Sequence, residues 1–288
     1  MVRTEEGCSY QCIGLYLILH TGAFPPPCPS GIIAAMETIL NVENVSVHFG
    51  NQWVLRDISF SVRRGEMLAI IGESGCGKTV LLKTLIGLHS QTSGTILFDG
   101  IEHHKLSYFE LAQLRTRWGF VFQQAALFDS LTIGDNIAFP LVQHSKKPKK
   151  AIQQIVETLL EEVGLDRSVL GKKPAELSGG MRKRAGIARA LALEPELILY
   201  DEPTTGLDPV MSSVINELMV NVRRQHTVTG IMVTHDLHSA RTVADRIIML
   251  APLAKLEMEE PQIVFDGTPR ELYISPNSRV RRFVKAGG

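Results

Sequence analysis

The spacing of hydrophobic positions changes along the chain and divides it into regions of different structure. Between residues 37 and 66 apolar and polar positions alternate, which places Val45, Val47 and Phe49 on one face and predicts antiparallel strands. From residue 124 to about 190 the apolar positions recur at helical spacing. The pattern predicts an α/β fold, in which a parallel sheet is combined with an antiparallel β subdomain and an inserted α-helical subdomain. Short apolar runs predict the buried parallel strands at residues 67–71, 119–122, 197–200, 231–234 and 247–250.

The two ends of the chain differ from its middle in composition. Residues 24–31 carry a cluster of prolines that cannot form helix or sheet, and a folded pattern begins at Met36. We therefore expect residues 1–35 to be a disordered or misassigned N-terminal extension, with a short partner-binding arm as the alternative. Residues 36–274 are the predicted domain. Residues 275–288 are a predicted C-terminal tail that carries Arg279, Arg281, Arg282 and Lys285.

Charge and cysteine content limit the possible partners and compartments. Lys plus Arg and Asp plus Glu each number 30, so the formal net charge is zero, which argues against a nucleic-acid partner. The basic run at residues 146–150 predicts a solvated loop, with attraction to anionic lipid headgroups as the alternative. The cysteines show no C-x-x-C spacing, so we expect neither a disulfide framework nor a zinc site. The apolar stretch at residues 12–19 is too short to span a bilayer, and free thiols favour the cytoplasm.

One stretch, called the phosphate loop below, fits the phosphate-binding pattern G-x-x-x-x-G-K-[ST] at every fixed position. It follows the predicted strand at residues 67–71 and precedes an apolar-faced helix at residues 79–88. Glycines let successive N–H groups converge on an anion, and the helix N-terminus adds its dipole. Lys78 would reach the β- and γ-phosphates and Thr79 would ligate Mg²⁺, unless this is a glycine-rich turn with a chance lysine. The residues of the loop are Gly72, Glu73, Ser74, Gly75, Cys76, Gly77, Lys78 and Thr79.

Cys76 lies inside the phosphate loop, close to Lys78 and just before the helix N-terminus. Both neighbours favour the thiolate over the thiol, so we expect a lowered pKa and an alkylation that Mg-ATP prevents. The alternative is a small residue packed against the sheet and closed to reagents.

Two acids follow directly after the predicted strand at residues 197–200. Ligands of open α/β sheets bind at the carboxyl ends of the strands, so this strand would deliver Asp201 and Glu202 to the same edge as the phosphate loop. Asp201 would hold the Mg²⁺ shell, and Glu202 would polarise an attacking water. An exposed acidic strand end is the alternative.

A second glycine motif points to a family. Ser178, Gly179 and Gly180, called the signature turn below, form an anion-binding turn at the start of a helix. Together with the phosphate loop, the acid pair and the segment at residues 233–236, in this order, it resembles the ATP-binding cassette (ABC) family over about residues 38–270. The resemblance implies a P-loop NTPase (RecA-like) core that binds ATP with Mg²⁺ and hydrolyses it.

The same resemblance implies roles for residues outside the glycine motifs. Phe49 would stack on adenine, unless it is a core aromatic of its strand. Gln123 would contact Mg²⁺ and the water, and His235 would contact the γ-phosphate. Asp208 lies in a segment similar to the loop that crosses the dimer interface. Two copies would meet head to tail, and each would close its signature turn over the ATP of the other.

Met181 departs from the glutamine that most of the family carries after the signature glycines. This methionine and the basic Arg182 and Arg184 resemble one branch, the ATPases of Mla-type transporters, which serve MCE-domain lipid carriers. The segments at residues 121–128 and 278–283 resemble the same branch. The implied partners are a second copy of the chain, an integral membrane permease and an MCE-type lipid-binding protein. The chain would then be cytoplasmic and peripheral on the inner face of the cell membrane.

Other function classes are open on the sequence alone. They are a soluble ABC ATPase of DNA repair or translation, an ABC importer or exporter ATPase for another substrate, and a P-loop kinase. The soluble ABC ATPases usually carry long coiled coils, zinc cysteines or two cassettes, which this sequence does not show. A kinase leaves the signature turn and His235 without an explanation. A lipid-transport ATPase is therefore the favoured function.

Overall fold

The computed structural model describes residues 37–287, so the predictions for residues 1–35 lie outside the described residues. The strands are β1 (Thr38–Phe49), β2 (Gln52–Arg63), β3 (Met67–Gly72), β4 (Ser93–Phe98), β5 (Ile101–Glu102), β6 (Trp118–Val121), β7 (Leu197–Asp201), β8 (Thr229–Thr234), β9 (Arg246–Leu250) and β10 (Ile263–Gly267). The helices are α1 (Lys78–Leu85), α2 (Tyr108–Arg115), α3 (Ile133–His144), α4 (Lys149–Glu162), α5 (Gly179–Leu191), α6 (Pro209–His226), α7 (Leu237–Val243), α8 (Pro269–Tyr273) and α9 (Ser278–Gly287). Short 3₁₀ turns span His103–Lys105, Arg167–Val169, Pro174–Glu176 and Leu253–Lys255.

The larger sheet has the strand order β10-β9-β3-β8-β7-β6. It is parallel except for β10, which pairs antiparallel with β9. Side chains along a strand alternate between faces, so Ile71 and Tyr200 enter one hydrophobic core while Ile70 and Leu199 enter the other. Every residue of β3, β7 and β8 is buried, which explains why the sequences of these strands are almost continuously apolar. The prediction of a P-loop NTPase core is confirmed.

A second, antiparallel sheet has the strand order β2-β1-β4-β5, and it shares a hydrophobic core with α1 and one face of the parallel sheet. Val45 and Val47 of β1 are fully buried in that core. The predicted alternation fails at Phe49, which is 49% exposed. The register of β1 against β2 shifts between Val45 and His48, so the period of two does not continue to the end of the strand. Phe49 is therefore not a core aromatic.

The chain between β6 and β7 is helical, and α3, α4 and α5 contribute to one core. The predicted basic loop at residues 146–150 is wrong in its second half. Pro148 occupies the position before α4 with a φ of −66°, and Lys149 and Lys150 form the first turn of the helix. Gly164 follows α4 with a φ of 67°, the left-handed conformation that ends many helices. The predicted apolar stripe of α4 buries Ile152, Val156, Leu159 and Leu160.

The predicted C-terminal tail is mostly a helix in the structure. α9 buries Val280 completely and packs Phe283 against the core that lies on the α3–α5 side of the parallel sheet. Arg281 and Arg282 on the same helix are exposed. Within residues 37–287, no helix has both the length and the apolar character needed to cross a bilayer.

Four charged side chains, called the four-charge ring below, join the two sheets at the edge where the parallel strands begin. Arg117 precedes β6 and Glu196 precedes β7, while Arg64 and Asp99 lie in the turns after β2 and β4. Arg117 donates to Glu196 and to Asp99, each at 2.5 Å. Arg64 donates to Glu196 at 2.9 Å and also pairs with Asp99. Each arginine therefore bonds both acids, and each acid bonds both arginines.

Candidate active site

The phosphate loop leaves β3 at Gly72 and enters α1 at Lys78, as the sequence predicts. Gly72 has a φ of 153°, and a Cβ there would lie 2.4 Å from the carbonyl oxygen of Leu250. Gly77 has a φ of 95°, and a Cβ there would lie 2.7 Å from Cδ2 of Leu55. Glycine is required at both positions because the backbone is left-handed and the neighbouring atoms leave no space for a side chain.

Lys78 is 8% exposed and its side chain folds back over the loop that precedes it. Its Nζ donates to the carbonyl oxygens of Gly72 at 2.8 Å and Glu73 at 3.2 Å. The ammonium is thus held at the centre of the loop, where an anion on the convergent N–H groups would meet it.

Asp201 ends β7 and lies next to the first turn of α1. The Thr79 hydroxyl donates to Asp201 Oδ1 at 3.1 Å. Asp201 is 6% exposed, and burial raises the pKa of its carboxyl, an effect that the bond from Thr79 opposes. A hydroxyl, a carboxylate and the nearby amide of Gln123 are the hard oxygen ligands that suit Mg²⁺. The donor set therefore fits this ion.

Glu202 follows β7 with a left-handed φ of 49°, an uncommon conformation for a residue other than glycine. Its carboxylate is held from two sides. His235 Nδ1, on the loop after β8, lies 2.9 Å from Oε2, and the Thr205 hydroxyl donates to the same oxygen at 3.0 Å. The backbone turn and these two contacts aim the carboxylate away from the core and into the cleft beside the phosphate loop.

These side chains meet in one cleft of about 480 Å³. The sheet order explains the meeting, because β3, β8, β7 and β6 are neighbours and their carboxyl ends lie at the same edge. The cleft also includes Val54 of β2, which no sequence motif had indicated. Its lining residues are Val54, Ser74, Gly75, Gly77, Lys78, Thr79, Val80, Gln123, Glu202 and His235.

Phe49 stands at the end of β1 with its ring half exposed. Its ring meets that of His89 edge to face, with the centroids 5.5 Å apart. The exposed half of the side chain leaves room for a planar ligand, and the stacking of Phe49 on adenine stays a prediction.

The signature turn lies outside the cleft that the phosphate loop lines. Ser178 caps α5, and its hydroxyl accepts the N–H of Met181 at 3.3 Å. Gly179 borders a separate cleft of about 610 Å³, together with Gln123, Arg182, Lys183 and other residues. Gly180 is buried, and a Cβ there would lie 2.5 Å from the end of the Met211 side chain.

Asp208 caps α6 directly after the loop that follows Glu202. Its carboxylate accepts the N–H of Met211 at 2.9 Å, so it fixes the start of that helix. Leu207, the residue before it, lines the cleft of about 610 Å³ that Gly179 borders. The loop after β7 therefore passes from the phosphate cleft to the signature turn.

The prediction of a reactive Cys76 is wrong. The residue is 1% exposed, and its sulfur points toward Gly72 and the core rather than to solvent. Burial raises the pKa of the Cys76 thiol, and the charge of Lys78 offsets only part of that effect. Desolvation outweighs the lowering effects of Lys78 and the backbone N–H groups, so the structure agrees with the alternative of a small packed residue.

Sequence reasoning missed a support beneath the phosphate loop. Gln262, at the approach to β10, is 1% exposed and uses both ends of its amide. Its Nε2 donates to the carbonyls of Cys76 at 3.0 Å and Val54 at 3.1 Å, and its Oε1 accepts the N–H of Arg56 at 2.8 Å. Close by, Lys255 pairs with Glu73 of the loop, so Glu73 faces a side chain rather than the cleft. These contacts join segments that are far apart in sequence, and no local pattern signals them.

The comparisons with known proteins agree with this geometry. The model of the ABC transporter family matches residues 55–205. The intermembrane phospholipid transport system ATP-binding protein MlaF of Haemophilus influenzae is 38% identical over 249 residues, which cover 86% of this chain and 91% of that protein. A probable ribonucleotide transport ATP-binding protein, mkl, of Mycobacterium leprae is 43% identical over 249 residues, which cover 86% of this chain and 69% of that protein.

Solved structures show the same relationship. A dimeric structure of the ATP-binding cassette MJ0796, in a post-hydrolysis state bound to ADP and Pi, superposes with a TM-score of 0.71 at 30% identity. The match covers 80% of this chain and 99% of that one. The chain therefore belongs to the ATP-binding cassette transporter family and is an ATP-binding subunit that hydrolyses ATP.

Proposed function

We propose that this chain powers the transport of a phospholipid or similar lipid by hydrolysing ATP beneath a membrane permease. The phosphate cleft carries the first half of the proposal, because Lys78 and the pair of Glu202 with His235 line it and Asp201 accepts the hydroxyl of its Thr79. The relative that is 38% identical and named as a phospholipid transport ATPase supports the choice of lipid. The chain would sit on the cytoplasmic face of the membrane, and an MCE-type protein would carry the lipid.

The residues of the cleft divide the chemistry among them. The N–H groups of the phosphate loop and the Lys78 ammonium would bind the β- and γ-phosphates, and Phe49 would stack on adenine. Thr79, Gln123 and Asp201 would hold Mg²⁺, which neutralises charge on the phosphates when it is bound. Glu202 would accept a proton from the attacking water, and His235 would hold the Glu202 carboxylate in place and contact the γ-phosphate.

A second copy of the chain would complete the site. The signature turn does not line the cleft of the phosphate loop, although Gln123 lines both clefts, and this supports a role at a nucleotide held by another copy. In a head-to-tail pair, Ser178, Gly179 and Gly180 of one copy would close over the γ-phosphate held by the other, and Asp208 would lie at the interface. Since ADP lacks the γ-phosphate, hydrolysis would release the pair. The dimeric MJ0796 structure supports this arrangement.

The mycobacterial relatives favour a second candidate substrate. They are 43% identical and named as probable ribonucleotide transport proteins. Both candidate functions would use the same ATP cleft of this chain, so the cleft does not discriminate between them.

We also propose that residues 36–274 are the ATPase domain, with the helical insertion at about 124–190, and that residues 1–35 are dispensable for it.

The transport substrate can be tested on the assembled complex. The chain would be used to pull down its permease from a detergent extract, and the complex would be reconstituted in proteoliposomes. We expect co-purified phospholipid by mass spectrometry, and ATP hydrolysis that depends on the phospholipid composition of the vesicles. Uptake of a ribonucleotide coupled to ATP hydrolysis, without any response to lipid, would replace the lipid proposal. Failure to bring down any membrane protein would remove both transport proposals.

A further inference from the structure

Lys183 is a buried charged side chain that the proposed reaction does not use. It lies on α5, the helix that the signature turn begins, and it is 6% exposed. Its Nζ donates to the carbonyl oxygens of Glu202 at 3.2 Å and Thr205 at 3.1 Å. A buried ammonium is costly unless it is hydrogen-bonded, so these two carbonyls determine where the charge lies.

The two bonds join parts of the chain that face different nucleotides. Under the proposed function, the start of α5 acts on the ATP of the partner copy, whereas the loop after β7 presents Glu202 to the ATP of its own chain. The same loop orients that carboxylate, because the Thr205 hydroxyl donates to Glu202 Oε2 at 3.0 Å. A shift of α5 would therefore act through Lys183 on the backbone at Glu202 and Thr205.

We propose that Lys183 is a positioning residue. It couples the signature turn of each chain to the loop after β7 of the same chain, which presents Glu202. Closure on the partner's nucleotide would then set the geometry of hydrolysis at the chain's own nucleotide. The inference rests on the proposed role of Glu202 and on the head-to-tail pair. It adds a residue that acts on Glu202 through the backbone carbonyls of Glu202 and Thr205.

The charges around Lys183 give this coupling a response to pH. Glu202 faces it from the loop after β7, His235 contacts the carboxylate of Glu202, and Asp129 and Arg182 line the same cleft. Burial lowers the pKa of Lys183 from 10.5 to about 8, and the charge of Glu202 offsets part of that effect. As pH rises through about 8, the ammonium loses its charge and both bonds to the carbonyls weaken, so turnover should fall.

The same titration should act on stability with the opposite sign. The pKa of Lys183 is lower in the folded than in the unfolded chain, so between about pH 8 and 10.5 the unfolded chain binds more protons. This group therefore adds stability as pH rises through that window. A loss of turnover above pH 8 without a loss of stability from this group separates positioning from a purely structural role.

Steady-state ATP hydrolysis between about pH 7 and pH 9, with nucleotide binding and thermal unfolding measured in parallel, tests the proposal. Lys183→Met removes the donor, and Lys183→Gln keeps a neutral donor. Arg184→Met is the matched control, because Arg184 lies on the same helix and also donates to a backbone carbonyl, that of Gly164, at 2.5 Å. The full chain is used throughout, paired with its permease where that complex is available.

We expect Lys183→Met to lower kcat by about tenfold or more at pH 7, with the KM for ATP within about twofold of wild type. Its remaining turnover should not fall between pH 7 and 9, whereas wild type and Arg184→Met should lose turnover above about pH 8. Lys183→Gln should recover part of kcat without recovering the alkaline decline.

Two results would overturn the coupling. One is a Lys183→Met variant with wild-type turnover and the wild-type alkaline decline. The other is a parallel loss of nucleotide binding and thermal stability that Arg184→Met reproduces, which would make the lysine a structural residue only.

The Glu202→Gln variant, measured in the same assays, separates this proposal from the proposed function. If Glu202→Gln is inactive and Lys183→Met is normal, only the coupling is wrong. If Glu202→Gln is fully active, the proposed reaction itself is wrong.

Discussion

The phosphate loop and the signature turn both use the start of a helix, but they acquire their neighbours in different ways. At the phosphate cleft, β3, β6, β7 and β8 end side by side, so their loops deliver Lys78, Glu202 and His235 to one place. The signature turn begins α5 in the helical segment, and the described residues that line the phosphate cleft do not include it. Neighbouring parallel strands thus assemble a site within one chain, whereas this helix start lies outside that site.

The variant with the largest expected effect alters the phosphate cleft and leaves the signature turn intact. Glu202→Gln removes the proposed base but keeps the size of the side chain, so we expect turnover to fall by about 10³-fold while ATP binding is retained. Phosphate release and equilibrium nucleotide binding measure the two properties. Glu217→Gln, at an exposed position on α6, is the control and should be unaffected. Turnover of Glu202→Gln within a few-fold of wild type would contradict the assigned role.

The variant with the next largest expected effect alters the signature turn and leaves the phosphate cleft intact. Ser178→Arg places a bulky cation where a γ-phosphate of the partner would dock, so we expect a loss of turnover of about 10²-fold. The isolated subunit should still bind ATP, because Ser178 does not line its own cleft. Equilibrium binding at low protein concentration decides this, and a loss of binding there would place Ser178 in the site of its own chain.

Mixing these two inactive variants tests whether the cleft of one chain and the signature turn of another form one site. A mixed pair of Ser178→Arg and Glu202→Gln would contain one site with an intact cleft and an intact signature turn. Independent sites would recover about one quarter of wild-type turnover, since half of randomly formed pairs are mixed and each has one intact site. The coupling through Lys183 predicts a smaller recovery that still exceeds the turnover of either variant alone, because the chain that supplies the intact cleft carries the altered signature turn. No recovery in a mixture that forms pairs would argue against a site shared between two chains.

A smaller effect concerns the support beneath the cleft. Gln262→Leu keeps the volume but leaves the Cys76 carbonyl without this donor, so we expect unfolding to become easier by about 1–3 kcal/mol and the KM for ATP to rise. Denaturant unfolding and steady-state kinetics measure the two effects. Gln153→Leu, on the exposed side of α4, serves as the control. A lower stability with an unchanged KM would show that Gln262 supports the fold but not the shape of the loop.

The smallest expected effect is an absence of reaction at Cys76. With Cys8, Cys12 and Cys28 replaced by serine, Cys76 is the only thiol, and we expect maleimide to leave it unmodified in the folded chain and to label it after denaturation. Intact mass spectrometry gives the result. Rapid labelling of the folded chain, prevented by Mg-ATP, would restore the prediction made from sequence.

The parts of the site that local sequence determines were predictable. The phosphate loop follows from its glycines and the flanking apolar run, and Asp201 and Glu202 follow from four apolar residues before two acids. Their meeting also followed, because the carboxyl ends of parallel strands share an edge. These predictions depend on backbone direction and period, which a sequence shows directly.

Contacts that depend on side-chain direction in loops were not predictable. Gln262 and Cys76 are 186 residues apart, and a lone glutamine before a strand carries no signal of the carbonyls it will bond. Cys76 failed as a prediction because its position beside Lys78 was visible but the direction of its sulfur was not. Phe49 and the basic run at residues 146–150 departed from expectation where a register shift and a helix-starting proline changed the local geometry.

The four-charge ring ties the antiparallel sheet to the parallel sheet, so the two sheets should move together. Its bonds cross from the turns after β2 and β4 to the starts of β6 and β7, at the edge remote from the phosphate cleft. Because each acid is shared by both arginines, the sheets cannot part there without breaking several charge-assisted bonds together. The antiparallel sheet, which ends β1 at Phe49, should therefore move together with the parallel sheet, so the ring of Phe49 and the phosphate loop would keep their relative positions.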